Sequence, residues 1–285
     1  NFVTHADTIN TLVLPKTGFD DLIVHDELTD DLTQRHIELL NQVDKYKKAG
    51  KKFFLYLHYS NIHTEIMQNV LKKYNNFSSE YFSNKEKNIQ FYNKLFFDSD
   101  VYLGKILQHY QNLNLDEDTL LVVISDHGIS TGEKFGERGY GVFCYDYTLL
   151  SGAMFCHKNI KPIQIKNQVR SIDILPTILE LLSINQDPAY EKIQGKSLVP
   201  LMNGKIESRI AFSQSGNPLS SSRPPKEPNV SAVRTDEWKF ILNHYDNTEE
   251  LYNLKTDPKE NNNLVTKENK IVQNLRKILK NHLEL

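Results

Sequence analysis

Leu120-Leu121-Val122-Val123-Ile124-Ser125-Asp126-His127-Gly128 is the stretch from which the rest of the chain can be placed. Five large aliphatic residues in a row, three of them β-branched, predict a short strand buried on both faces; the chain then turns polar at Ser125 and opens at Gly128. Such a strand delivers Asp126 and His127 to a sheet edge. In open α/β sheets the crevice beyond the carboxyl ends of the strands is where ligands bind, and a carboxylate beside an imidazole there suits a divalent cation. An Asp-His pair after a strand is also ordinary helix-cap or turn composition. Both readings stand on this stretch alone.

Working upstream, Lys52-Phe53-Phe54-Leu55-Tyr56-Leu57-His58-Tyr59 repeats the pattern, a buried strand running into the polar loop Ser60-Asn61-Ile62-His63-Thr64. If the two strands run parallel, His63 reaches the same kind of sheet edge as Asp126. Between them a helix is predicted from about Lys87 to Asn112, with Phe91, Leu95, Tyr102, Ile106 and Tyr110 on related faces. Strand, helix and strand in that order predict a right-handed crossover in a parallel sheet. An earlier helix is capped by Thr29 or Asp30, carries Leu32, Leu39, Leu40, Val43 and Tyr46, and ends at Ala49-Gly50. Residues Asn1 to Glu27 show no sustained period and read as a connection.

Downstream, Ile129 to Tyr147 is rich in Gly and charge and reads as an active-site loop. Leu149 to Phe155 predicts a strand, and Ser171 to Ser183 a helix capped by Ser171, with Pro176 in its first turn or at a bend. Gly195-Lys196-Ser197 is not a phosphate loop, because Tyr190 stands where that motif needs its first Gly. Gln214 to Asn229, with four serines and four prolines, reads as a surface loop or linker. Short strands at Ser231–Arg234, Trp238–Leu242 and Glu250–Asn253 predict a small antiparallel sheet. A terminal amphipathic helix from about Thr266 presents Ile271, Leu275, Ile278 and Leu279. The expected organisation is a partial catalytic α/β domain over 1–213 that lacks its N-terminal strands, a surface loop or linker over 214–229 and a small C-terminal α+β subdomain over 230–285.

The 285 residues, 39% hydrophobic and 25% charged, suit one large globular core or a core with a smaller domain. A formal net charge of −2 argues against nucleic acid as a partner. No apolar run approaches the roughly 20 residues that span a bilayer, so no membrane partner is expected. Cys144 and Cys156 have neither disulfide-framework nor zinc-knuckle spacing. Compartment and oligomeric state are not written in the sequence.

The strand leading into Asn61-Ile62-His63-Thr64, followed by Ser125-Asp126-His127-Gly128, resembles the sulfatases of the alkaline-phosphatase superfamily. Three further stretches agree in order: Asp173-Ile174-Leu175-Pro176-Thr177-Ile178-Leu179, then Gly195-Lys196-Ser197-Leu198-Val199-Pro200-Leu201, then Glu250-Leu251-Tyr252-Asn253-Leu254-Lys255-Thr256-Asp257-Pro258-Lys259-Glu260. The resemblance runs from about Gly18 to the C-terminus. It implies an α/β fold, a mixed, mostly parallel sheet flanked by helices, with a small C-terminal antiparallel sheet and terminal helix.

The resemblance also implies roles. Asp126 and His127 match the family's second pair of metal ligands, with calcium the expected ion and manganese or zinc the alternatives. Two donors cannot complete a site that for calcium takes six to eight. His63 matches the histidine that contacts the sulfate and assists departure of the leaving group. The implied substrate is a small-molecule or glycan sulfate ester.

Several departures accompany the match. The family's Asp-Asp metal pair, its Cys/Ser-x-Pro/Ala-x-Arg nucleophile, modified to formylglycine, and its Lys-x-His element do not stand in their expected places. Lys280-Asn281-His282 has the last spacing but lies in the terminal helix, and Asp20-Asp21 is not promoted to a ligand pair. The sequence is therefore expected to be the C-terminal two-thirds of such an enzyme, inactive by itself, with formylglycine in a segment outside it. No Lys precedes Tyr145-Asp146 in the place sulfatases use for sulfate, so Arg138, whose planar fork fits an oxyanion, and then Lys134 are the candidate substrate cations; a solvated loop charge is the alternative for Arg138. The alternatives to a sulfatase are a phosphate mono- or diester hydrolase or phosphotransferase of the same superfamily and a non-catalytic binding module.

Overall fold

Apolar residues at 32, 39, 40 and 43, joined by buried His36, give the first helix, α1 (Leu32–Lys48), one inward face. Its cap is Asp31, whose carboxylate accepts the Gln34 amide at 3.1 Å, rather than Thr29 or Asp30; Asp30 instead takes the Asp26 amide and pairs with Arg35. Lys45, Lys47 and Lys48 complement the helix dipole, and Gly50, at φ +69°, turns the chain away as expected. The computed structural model describes residues 2–6, 19–26, 29–66, 68–69, 79–137, 139–219 and 225–284. They fall into two compact units, Asn1–Leu121 with Thr131–Gly136, and Val122–Ser130 with Glu137–Leu285.

In the first unit, α4 (Lys85–Asn112) packs on α1 around Leu40, Ile106, Tyr110 and Leu115. Buried His36 bonds the Tyr102 hydroxyl at 2.6 Å. Strands β1 (Phe2–Ala6), β2 (Asp21–Val24) and β3 (Phe54–Tyr56) form a parallel sheet in the order β2-β1-β3. Three expectations are corrected here. The first 27 residues contribute two strands, whose four to five residues are too short to show a period and whose partners are distant in sequence. The eight-residue strand shrinks to three and is not buried: Phe54 and Tyr56 are 44% and 43% exposed, and among the described residues β3 stands at the end of the strand order. The loop carrying His63 is helical, α2 (Asn61–Ile66), followed by α3 (Ser79–Ser83).

The quoted stretch becomes β4 (Leu121–Ile124), whose residues from Val122 open the second unit, and it pairs with β5 (Ala153–Cys156). Among the described residues β3 and β4 lie in different sheets, so the expected crossover within one sheet is not seen. Nor is β4 buried on both faces: Leu121, Val122 and Val123 are half-buried and Ile124 is 48% exposed, as a two-stranded ribbon permits.

The C-terminal sheet is a four-stranded antiparallel meander, β6 (Ala211–Ser215), β7 (Val230–Arg234), β8 (Trp238–Asn243) and β9 (Thr248–Asn253). β6 spans the boundary expected at 213; its two adjacent apolar residues followed by Ser-Gln-Ser carry no alternation that would register as a strand. On one face, Val233, Phe240 and Leu251 stand in register and receive Val272, Leu275 and Leu279 of α8 (Asn269–Leu283). On the other, Val230, Ala232, Ile241 and Tyr252 pack with Cys144 and Tyr145.

Two sequence motifs are locked together beside this sheet. A short 3-10 turn at Ser171–Asp173 leads into α6 (Ile174–Leu181), with Pro176 in its first turn; the Arg170 and Asp173 side chains, not Ser171, organise the start. Asp173 accepts the Lys196 amide at 2.9 Å, Thr177 accepts the Leu198 amide at 2.8 Å, and α7 (Val199–Met202) follows. Gly195 is required here, since a Cβ would sit 1.8 Å from the Ile172 carbonyl oxygen. Buried Arg209 pairs with Asp173 at 2.9 Å and donates to the Lys196 and Ser197 carbonyls. No described helix is long and apolar enough to cross a membrane.

Candidate functional site

The end of β4 is stitched to the start of β5. The Ser125 amide donates to the Gly152 carbonyl at 3.0 Å and the Gly152 amide donates to the Ser125 hydroxyl at 2.9 Å. Asp126 follows at once, outside the ladder, with its side chain 77% exposed, and His127 is 41% exposed. Asp126 Oδ1 accepts the His127 amide at 2.7 Å, which fixes the carboxylate and leaves Oδ2 outward. His127 Nδ1 stands 2.7 Å from the Gly128 carbonyl. A carbonyl only accepts, so Nδ1 carries a proton, and Nε2 is the ring nitrogen left to face Asp126.

The two outward atoms, Asp126 Oδ2 and His127 Nε2, are 3.4 Å apart. Adjacent donors about 2.4 Å from one cation and at right angles would stand at about that separation. One oxygen, one imidazole nitrogen and a ring oriented by its other nitrogen fit two corners of a cation's coordination sphere. Among the described residues no group of three or more His, Cys, Asp or Glu is placed to hold a metal.

Behind the pair, Gly128 rests on the short helix α5 (Asp146–Leu149). Its amide donates to the Thr148 carbonyl at 2.9 Å, and a Cβ at Gly128 would sit 2.2 Å from the Tyr147 carbonyl oxygen. Tyr140 meets the His127 ring edge-on, with centroids 5.5 Å apart.

Helix α5 is held by a buried ionic cluster. Lys239, whose side chain is fully buried, lies 2.7 Å from Asp146 Oδ1 and 3.0 Å from Glu260 Oε1. Arg234 grips Asp146 from Nε and Nη2, and also donates from Nη1 to Gln168. Burial alone would raise the Asp146 carboxyl, but the Lys239 charge and Arg234 hold it below the usual carboxylate range. Glu260 goes the other way: burial pushes it up and Lys239 offsets only part of that. Glu250 accepts the Tyr145 hydroxyl at 2.6 Å and that of Tyr252 at 2.5 Å.

The remaining expected site residues fall in the other unit or outside the described residues. His63 is exposed in the first turn of α2 and Lys134 is half-buried, both in the first unit, whereas Asp126 and His127 belong to the second. Arg138 lies outside the described residues. Cys144 and Cys156 are free thiols, Cys144 buried. Reading by motif missed Lys239 and Glu260 as parts of the support; a lysine between Trp238 and Phe240 in an otherwise apolar strand already demanded a buried carboxylate.

Comparison with known proteins gives a consistent picture. The Sulfatase family model matches residues 2–184, and a model of the N-sulphoglucosamine sulphohydrolase C-terminal region matches residues 153–285. Arylsulfatase K of Gallus gallus is 30% identical over 204 residues, 67% of this chain and 36% of that protein. Choline-sulfatase of Rhizobium meliloti is 26% identical over 185 residues, 63% of this chain and 34% of that protein. The chain thus spans about a third of the length of these curated relatives. Among solved structures, BT1596, a 2-O GAG sulfatase, superposes with a TM-score of 0.68 at 19% identity, covering 94% of this chain and 68% of that one. BT4656, solved with its substrate D-glucosamine-2-N,6-O-disulfate, gives 0.66 at 17% identity, covering 99% and 79%. These likenesses establish the α/β fold of the alkaline-phosphatase kind. With the family model matching 2–184, the chain belongs to the sulfatase family.

Proposed function

We propose that this chain supplies part of the active centre of a metal-dependent sulfate-ester hydrolase. Asp126 and His127 hold a divalent cation, calcium before manganese or zinc. His63 protonates the departing alcohol, and Arg138 and Lys134 attract the sulfate. The observation that carries this reading is the outward pair, Asp126 Oδ2 and His127 Nε2, 3.4 Å apart with Nδ1 committed to Gly128. The metal would supply charge to balance the anionic oxygens of the transferred group. His63 lies exposed in α2, and an imidazole is the side chain most often used to pass a proton.

The nucleophile is assigned to none of the 285 residues. Cys144 is enclosed, and burial pushes its thiol up to about 12 against the pull of Lys239, which suppresses the thiolate. Cys156 is followed by His157-Lys158-Asn159-Ile160, which lacks the context for conversion to formylglycine. The 285 residues alone are therefore proposed to turn over neither sulfate nor phosphate esters. The substrate is proposed to be a sulfated small molecule or glycan; the choline-sulfatase and GAG-sulfatase relatives support the two branches respectively.

Turnover of nitrophenyl sulfate and nitrophenyl phosphate, measured on the natural full-length protein with calcium or manganese, tests the reading. Sulfate turnover that falls by at least about tenfold in Asp126→Ala, and by about 100-fold or more in His63→Ala, supports it. Phosphate turnover alone, or sulfate turnover indifferent to Asp126→Ala, overturns it.

A further inference from the structure

Glu260 ends the C-terminal signature, far in sequence from the donor pair, and three features of it call for a cause. It is 1% exposed, although a glutamate is rarely enclosed. It sits at φ +56°, where glycine would be the unstrained choice. Its two oxygens are committed, Oε1 to Lys239 at 3.0 Å and Oε2 to the Asp146 amide at 2.7 Å. That amide is the first of α5, one of the helix N–H groups that has no partner within the helix.

A continuous set of contacts leads from this carboxylate to His127. Glu260 and Lys239 fix Asp146; the Thr148 hydroxyl donates to the Tyr145 carbonyl at 3.0 Å, tightening the one turn of α5; the Thr148 carbonyl receives the Gly128 amide at 2.9 Å; and the Gly128 carbonyl receives His127 Nδ1 at 2.7 Å. Only glycine fits at 128, because a Cβ there would sit 2.2 Å from the Tyr147 carbonyl oxygen. The orientation of the imidazole is thus set by a peptide whose seat is set by α5. All of these residues belong to one compact unit.

We propose that Glu260 is a positioning residue for the Asp126–His127 donor pair, acting through the Asp146 amide and the backbone of α5 on the peptide that orients His127. The inference rests on the metal-ligand reading only where metal affinity is concerned; the orientation of the ring is a property of the metal-free chain.

The experiment compares wild type with Glu260→Ala, Glu260→Gln and Asp126→Ala in the whole chain, by nitrogen-15 shifts of the His127 imidazole without metal and by terbium luminescence titration. Glu260→Ala is expected to lose the single Nδ1–H tautomer and to weaken terbium binding by about tenfold or more, the usual size of an outer-sphere effect. Glu260→Gln keeps an oxygen for the Asp146 amide and is expected to restore the tautomer. A folded Glu260→Ala with wild-type tautomer and affinity overturns the proposal. If that variant does not fold, hydrogen exchange on the wild type decides: the Asp146 and Gly128 amides open together if the relay holds, and independent opening of Gly128 overturns it. Terbium binding indifferent to Asp126→Ala overturns the metal reading instead, and the tautomer still judges Glu260.

Discussion

Asp126 and Asp173 both stand in motifs of the sulfatase family, one just after β4 and the other just before α6, and their oxygens are used in opposite ways. Asp173 is fully buried, with Arg170, Arg209 and the Arg170 and Lys196 amides on its two oxygens, so every lone pair faces inward. Asp126 is 77% exposed, gives one oxygen to its neighbour's amide and leaves the other outside. The comparison teaches how a carboxylate that holds the fold differs from one left open to solvent. The first is saturated by the chain; the second is fixed at one oxygen and open at the other.

The largest way to break this contrast is to remove a partner of the saturated carboxylate. Arg209→Ala strips Asp173 of a buried guanidinium and leaves the Lys196 and Ser197 carbonyls without their donor. A loss of about 3 kcal/mol in denaturant unfolding is expected, the lower end for a broken buried pair because Arg170 remains. A loss below about 1 kcal/mol would mean that the strap from Gly195 to Leu198 does not depend on the ion pair.

A smaller effect is read by pH. Burial alone would raise the Asp173 carboxyl, but the hydrogen bonds from Arg170, the Lys196 amide and Arg209 bring it below its ordinary value of 3.8, and Asp146 is lowered likewise. A carboxyl lowered in the folded state contributes stability above its unfolded value and loses it as pH falls through the folded one. The gap in stability between wild type and Asp173→Asn should therefore be widest above about pH 4 and close as the solution is acidified further. Glu260, raised in the folded state, works in the reverse sense and partly offsets the acid limb. A gap independent of pH would show that Asp173 is not ionised in the folded protein.

Much of this was legible in the chain. Val122 to Gly128 shows its strand end because apolar residues stop abruptly at Ser125, and the C-terminal strands show theirs because Val233, Phe240 and Leu251 alternate with residues of the other face. The family motifs identify the fold, although the local patterns do not say why Gly195 or Glu260 is retained; those reasons are contacts with Ile172 and Asp146, remote in sequence. The strands at 2–6 and 21–24 stay hidden because parallel pairing is non-local and each strand is too short to carry a period. The support beneath His127 is likewise invisible in any window around Asp126, since it arrives from positions 146, 239 and 260.

The most direct test of the distinction is the thermal midpoint of wild type and Asp126→Ala, each with and without millimolar calcium or manganese. An outward donor contributes little to the fold, so the metal-free midpoints should coincide within the change expected for about 0.5 kcal/mol, and only the wild type should gain stability on adding metal. A metal-free midpoint lowered as far as that of Arg209→Ala, or an undiminished response to metal in Asp126→Ala, would contradict the account.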